Sequence, residues 1–290
     1  MKTTLILLLF PTIVFCQSIT GIKTEKQAGD FVKENFKYCE LKYDEFIIDS
    51  VNSRYDCFKA GDFNHDGIKD LLLFGKAHVT KDSTVYKEDE IAIILGDRKK
   101  PRKVIFSYGF FSRFEGDIIP YPRAISIGNK DYVLIRYDIT EPLRQTVQTH
   151  YDTFFIKNDH VIPFASKPSN KIVTSIEFKT TRCFGTCPVF ELKIDENLDG
   201  MYRGIEYVDR KGEYKITVED KDWVYLTSLI KNLKVENLKD EYDVEWSDCP
   251  TVFLTIRYKD GYKKTVTDYG PLGSFGLCVL YDYLYELARF

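Results

Sequence analysis

From residue 46 onward the apolar residues of this chain arrive in short bursts, and that spacing limits the fold more than any other feature. "FIIDSV", "DLLLFG", "IAIILG", "KVIFSYGF", "YVLIRYD" and "TFFIKND" are alternating or fully apolar, with clusters of Asp, Gly, Asn, Pro and Lys between them. Each predicts a strand, since none sustains the 3.6-residue period of a helical face. The pattern resumes at "IVTSIEFK", "VFELKIDENLDGMYRGIEYV" and "GEYKITV". "TVFLTIRYKDGYKKTVTDY" predicts two strands joined across Lys259, Asp260 and Gly261, because Asp-Gly accepts the left-handed backbone of a tight hairpin turn. An aromatic content of 15%, with 20 Tyr and 21 Phe against 2 Met, agrees, since flat rings pack well on pleated surfaces.

Three segments carry the helical period instead. "TEKQAGDFVKENF" opens with Thr24 and Gln27 in capping-box relation and sets Ala28, Phe31, Val32 and Phe36 on one side. Residues 221–233 align Trp223, Leu226, Leu229, Ile230 and Leu233, and the segment after Pro271 aligns Leu277, Leu280, Leu284, Leu287 and Ala288. "PFASKPSNK", residues 163–171, has no period and two prolines, and predicts a linker at 166–172. The expected fold class is α+β. An N-terminal helix and a β-rich domain fill 17–165, and a second α+β domain of β-hairpins with two helices fills 173–290.

The first residues read as an address. Met1 and Lys2 give a charged start, residues 5–15 an apolar core, and "VFCQS" a cleavage site between Cys16 and Gln17, so residues 1–16 predict a secretory signal peptide. A membrane anchor competes with this, but the run is shorter than the ~20 residues of a spanning helix, and Pro11 interrupts it. Lipid attachment at Cys16 also competes, against Phe15 standing where a small residue is usual. The expected location is periplasmic or secreted, with no transmembrane segment after cleavage. The formal charge of −3, which becomes −4 once Lys2 leaves with the leader, argues against a nucleic-acid partner, which needs a concentrated basic patch. Cys39, Cys57, Cys183, Cys187, Cys249 and Cys278 remain, and an even count in an exported chain makes them disulfide candidates of open connectivity. The pairing favoured here is Cys39 with Cys57, Cys183 with Cys187, and Cys249 with Cys278.

"GDFNHDGIKDLLLFG" carries the clearest chemistry. With Asp62 as first position, Asn64 is third, Asp66 fifth, Gly67 sixth, Ile68 seventh and Asp70 ninth. Calcium takes six or more hard oxygen ligands, and a tight loop supplies them from alternate side chains and a seventh-position carbonyl when a glycine permits the turn. An EF-hand is excluded, because Leu73 stands where the bidentate Glu belongs and a strand, not a helix, follows. The segment resembles the calcium loop of the FG-GAP repeats. The resemblance implies Asp62, Asn64, Asp66 and Asp70 as side-chain ligands and Ile68 as carbonyl ligand of Ca2+. It covers about fifteen residues in one copy, too little for a propeller of about 4 to 8 blades. The competing reading is an Asp-rich turn that takes no metal.

"TRCFGTCPVFELKI" places two cysteines three residues apart, not the two of a thioredoxin-type site, and no βαβ pattern surrounds them. From about Ser175 to Leu287, through "CFGTCPVFELKI" and "YDVEWSDCPTVFLTIRYKDGYKKTV", the chain resembles a domain of unknown function found in exported bacterial proteins. That resemblance implies a fold and an envelope location, and no activity. No GxSxG elbow, HExxH, Walker or dinucleotide glycine pattern occurs. "HYD" at 150–152 and "DH" at 159–160 are the histidines beside acids, and they read as strand surface pairs. The function expected is an exported, calcium-stabilised binding or interaction protein of the envelope, with an envelope protein or glycan as partner and no catalytic residues. The alternatives are an exported hydrolase with a carboxylate-based site and an inhibitor of a cell-wall enzyme.

Overall fold

The computed structural model describes residues 19–35, 58–81, 84–96, 101–106, 118–141 and 146–289. The leader with Cys16, the expected strand at 46–51, and Cys39 with Cys57 lie outside the described residues. Among the described residues no helix is long and apolar enough to cross a membrane.

Helix α1 (Glu25–Asn35) begins at the expected capping box: Thr24 N donates to Gln27 Oε1 at 3.1 Å and Gln27 N donates to Thr24 Oγ1 at 3.2 Å. A first antiparallel sheet follows, β1 (Phe58–Gly61), β2 (Asp70–Lys81), β3 (Thr84–Leu95) and β4 (Arg102–Ile105), in chain order. The apolar run Leu71–Phe74 is explained by cover on both faces. Leu71, Leu73 and Ile94 pack with Ala28, Phe31 and Val32 of α1, while Leu72, Phe74, Ile91, Ile93 and Leu95 turn into the main core.

A second antiparallel sheet comprises β5 (Ile118–Ile127), β6 (Lys130–Glu141), β7 (Thr146–Lys157) and β8 (His160–Pro163), again in chain order. The β7–β8 turn uses Asn158 and Asp159, both with positive φ (51° and 64°), residue types that tolerate a left-handed pair. Strand β5 was not foreseen, because Pro120 and Pro122 break the strand pattern. Among the described residues it pairs only to β6, as an edge strand, and there prolines two apart are tolerated because their missing N–H groups would face away from the ladder.

The third sheet has seven strands, β9 (Val173–Thr180), β10 (Val189–Asp195), β11 (Asp199–Glu206), β12 (Gly212–Thr217), β13 (Glu241–Tyr242), β14 (Thr251–Tyr258) and β15 (Lys263–Tyr269). Their order is β12-β11-β10-β9-β14-β15-β13, antiparallel except for β13 beside β15. Alternation sends Ile176, Phe178, Leu192, Ile194, Leu254 and Ile256 inward. Helices α2 (Asp220–Leu233) and α3 (Phe275–Leu287) cover that face with Leu226, Leu229, Ile230, Leu277, Leu280 and Leu284. The outward positions carry Glu177, with Lys193 at 3.6 Å and Arg257 at 3.4 Å, and Lys179 with Glu191 at 3.3 Å. The α+β class holds, with three helices against antiparallel sheets.

Residues 164–172 contain neither helix nor strand, yet the core does not stop there. Phe275, at the start of α3, is fully buried against Phe154 (5.2 Å, edge to face), with Phe106 and Tyr137 each 6.3 Å away. Tyr225 of α2 donates its hydroxyl to Val161 O at 3.0 Å and stacks on His160 at 4.2 Å. The three sheets therefore share one apolar interior.

Candidate functional site

The acidic loop 62–69 connects β1 to β2 and sits where the first sheet meets the second. Its turn needs left-handed backbone at His65 (φ 62°) and Gly67 (φ 86°). Asp62 Oδ1 accepts from Asp66 N at 3.1 Å and Oδ2 from Gly67 N at 3.0 Å. Asn64 Oδ1 accepts from Asp66 N at 3.1 Å while its amide donates to Asp66 Oδ2 at 2.9 Å. Asp66 Oδ1 accepts from Ile68 N at 2.8 Å. Short acidic and amide side chains suit this task because they reach backbone N–H groups two to five residues on.

Asp70 works differently. It is 0% exposed, and it takes Phe63 N at 2.9 Å and Asn64 N at 3.3 Å on Oδ2, and Gly96 N at 2.9 Å on Oδ1. It thereby closes the loop and ties it to the end of β3. Gly96 is required there, since a Cβ would stand 2.3 Å from the Lys69 carbonyl. Burial pushes the Asp70 carboxyl up to about 6, against the three N–H donors that favour its ionised form.

The loop is also bound to the second sheet. Asp62 N donates to Asp131 Oδ2 at 2.9 Å, His65 Nε2 lies 2.8 Å from the Asp131 carbonyl, and Ile156 N donates to Phe63 O at 2.8 Å. The His65 ring stacks on Phe155 at 5.7 Å and meets the edge of Tyr132 at 5.0 Å. Asp131 also accepts from Ser126 Oγ at 2.8 Å and faces Lys69 Nζ at 3.4 Å. The N–H of Asp62 above all holds the Asp131 carboxyl below the usual range.

The donor set fits a hard cation in kind. Each carboxylate oxygen offers about two acceptor sites, so one N–H leaves another free for an ion. Asp62 and Asn64 are half-buried and Asp66 is exposed, which leaves the loop open to solvent. The cage is not preassembled: among the described residues no three His, Cys, Asp or Glu side chains are grouped to hold a metal. Asp70 is the expected ligand most committed elsewhere.

The remaining candidates are dispersed. Cys183 and Cys187 form a disulfide with Cα atoms 5.8 Å apart. The expected bridge between Cys249 and Cys278 does not form. Both are thiols, because α3 carries Cys278 into the core, where Sγ meets Pro271 O at 3.2 Å, while Cys249 stays half-buried at the rim of the third sheet. His150 stacks on Tyr137 at 5.1 Å. Asp152 accepts the Tyr137 hydroxyl at 3.2 Å and backbone N–H groups of Phe275 and Gly276, and burial raises its carboxyl. The Tyr137 hydroxyl in turn accepts from Phe275 N at 3.1 Å. Asp152 thus serves the N-terminus of α3, where a negative charge meets unpaired N–H donors. Asp70 and Asp152, both raised by burial, point at backbone amides and serve different elements. Asp131 was not singled out in the sequence, and Asp152 appeared only within "HYD" as an expected strand surface pair, whereas it is turned inward onto Tyr137 and α3; each lies far along the chain from what it holds.

Residues 174–288 match the model of a family described as a domain of unknown function (DUF6438). The match spans the third sheet with α2 and α3. No curated protein and no solved structure matches the chain.

Proposed function

We propose that this chain is an exported, calcium-stabilised binding module of the bacterial envelope. Its partner is an envelope protein or a glycan. Asp62, Asn64 and Asp66, with the Ile68 carbonyl, would hold Ca2+, and Asp70 would fix the loop from behind. The observation that carries the reading is the position of the loop. Its oxygen donors lie at the seam of two sheets, held to the second sheet through Asp131 and Ile156. An ion there offsets the repulsion of the loop carboxylates and stiffens the seam.

Affinity capture from envelope extract, with calcium in the wash and chelator in the elution, tests it. A specific partner released by chelation supports the module. Absence of a partner, together with hydrolysis of a glycan or peptide panel, would sink it in favour of a hydrolase.

A further inference from the structure

Cys249 lies on a segment tied to the turn that carries the disulfide. The β9–β14 ladder ends with Thr180 paired to Val252. Thr181 N donates to Thr251 O at 3.0 Å, Thr251 N donates to Thr181 Oγ1 at 2.8 Å, and Phe184 N donates to Asp248 O at 3.0 Å. These contacts bracket Cys183 on one segment and Cys249 on the other, which holds the thiol beside the disulfide-bearing turn. Cys183 is already bonded to Cys187, and Cys249 carries a thiol whose Sγ leans on Ser247 O at 3.7 Å. Between the bonded cysteines the chain stands in solvent, with Phe184 89% exposed and Gly185 and Thr186 exposed beside it.

We propose that Cys183, Cys187 and Cys249 form a thiol–disulfide exchange site, in which Cys249 attacks Sγ of Cys183 and displaces Cys187. The Cys249 thiol loses its proton to solvent and forms an S–S bond to Cys183. The Cys183–Cys187 bond breaks, and the Cys187 thiolate takes a proton from solvent. One disulfide and one thiol stand on each side, so the step consumes neither oxidant nor reductant. The consequence is a relocated staple. In one isomer the bond closes the exposed turn at 183–187, and in the other it ties β9 to β14 and leaves Cys187 as a thiol on an open loop. Burial, and then Asp248, raise the Cys249 thiol. The exchange is therefore slow unless a small thiol catalyses it or the 247–250 turn opens.

The test uses the full chain, incubated under native conditions with a trace of reduced glutathione, quenched in acid, alkylated, and mapped by digestion and mass spectrometry. The expected result is a peptide linking Cys183 to Cys249, with alkylated Cys187, beside the Cys183–Cys187 form. A Cys187→Ser variant, mildly oxidised while folded, should lose alkylation at Cys249 as the Cys183–Cys249 bond forms. Cys249 alkylated throughout in the wild type, with Cys183 bonded only to Cys187, would overturn the proposal. So would a folded Cys187→Ser protein that keeps both thiols after oxidation.

Discussion

In the N-terminal half two four-stranded sheets meet at a loop whose carboxylates take up backbone N–H groups, with Asp62, Asp66, Asp70 and Asp131 as acceptors. In the C-terminal half a seven-stranded sheet meets two helices through Phe178, Leu226, Leu254, Ile256 and Leu280, and the ion pairs of Glu177 and Glu191 lie on its outer face. The first arrangement gathers negative charge into a seam and, with the Asp70 carboxyl raised by burial, is sensitive to protonation. The second chiefly removes apolar surface from water, with Lys264 and Asp268 buried alongside it. Where the two halves touch, at Phe275, Tyr137 and Asp152, both devices occur together.

Mutations break this comparison in a definite order. Phe275→Ala removes a fully buried ring of α3 that packs against Phe106, Tyr137 and Phe154 of the first two sheets and should cost about 3–5 kcal/mol by urea denaturation. Probes in the two halves should shift together, and a loss seen by one probe alone would show that the halves are separately stable. Asp70→Ala leaves the N–H groups of Phe63, Asn64 and Gly96 without their acceptor, an expected loss of about 2–4 kcal/mol, with protease sensitivity rising first near residues 62–69. Asp152→Asn keeps an acceptor for α3 but removes the charge. Its effect near neutral pH should be about 1 kcal/mol or less.

The pH dependence sharpens the last case. Burial raises the folded Asp152 carboxyl above its ordinary value of 3.8, so the native state binds more protons than the unfolded state above that pH. Its contribution is fully favourable at low pH and falls as pH rises through the folded value. Wild type should therefore lose stability relative to Asp152→Asn as pH rises above the ordinary carboxylate value of 3.8, and a constant difference would remove the buried-charge account. The smallest effect belongs to Arg182→Gln on the outer rim. Its pair with Glu206 is solvent-exposed, and chemical denaturation should show no change beyond scatter.

Much of this architecture was legible in the chain because apolar spacing reports local burial. Leu71–Phe74 and the alternation of Val173–Thr180 announced their strands, and Thr24 with Gln27 announced the start of α1. Strand β5 was hidden by Pro120 and Pro122, whose tolerance depends on an edge position that only the assembled sheet defines. The loop acids were legible because their partners lie within a few residues. Asp131 was not, since it is 69 positions from the N–H it accepts, and no local pattern encodes such a contact. The cysteines show the same limit. Spacing suggested the Cys183–Cys187 bond, but only the folded chain shows Cys278 buried in the core and Cys249 at the sheet rim, next to the contact of Phe184 N with Asp248 O.

The central claim is that loop 62–70 is a cation-binding clamp between two sheets. Thermal melting of the full chain in chelator and in millimolar calcium tests it most directly. A ligand that binds only the native state stabilises it by about 2.7 kcal/mol at a concentration 100-fold above its dissociation constant. The account predicts a higher midpoint in calcium for the wild type and none of that rise in Asp62→Ala. Equal midpoints in calcium and chelator for the wild type would contradict it.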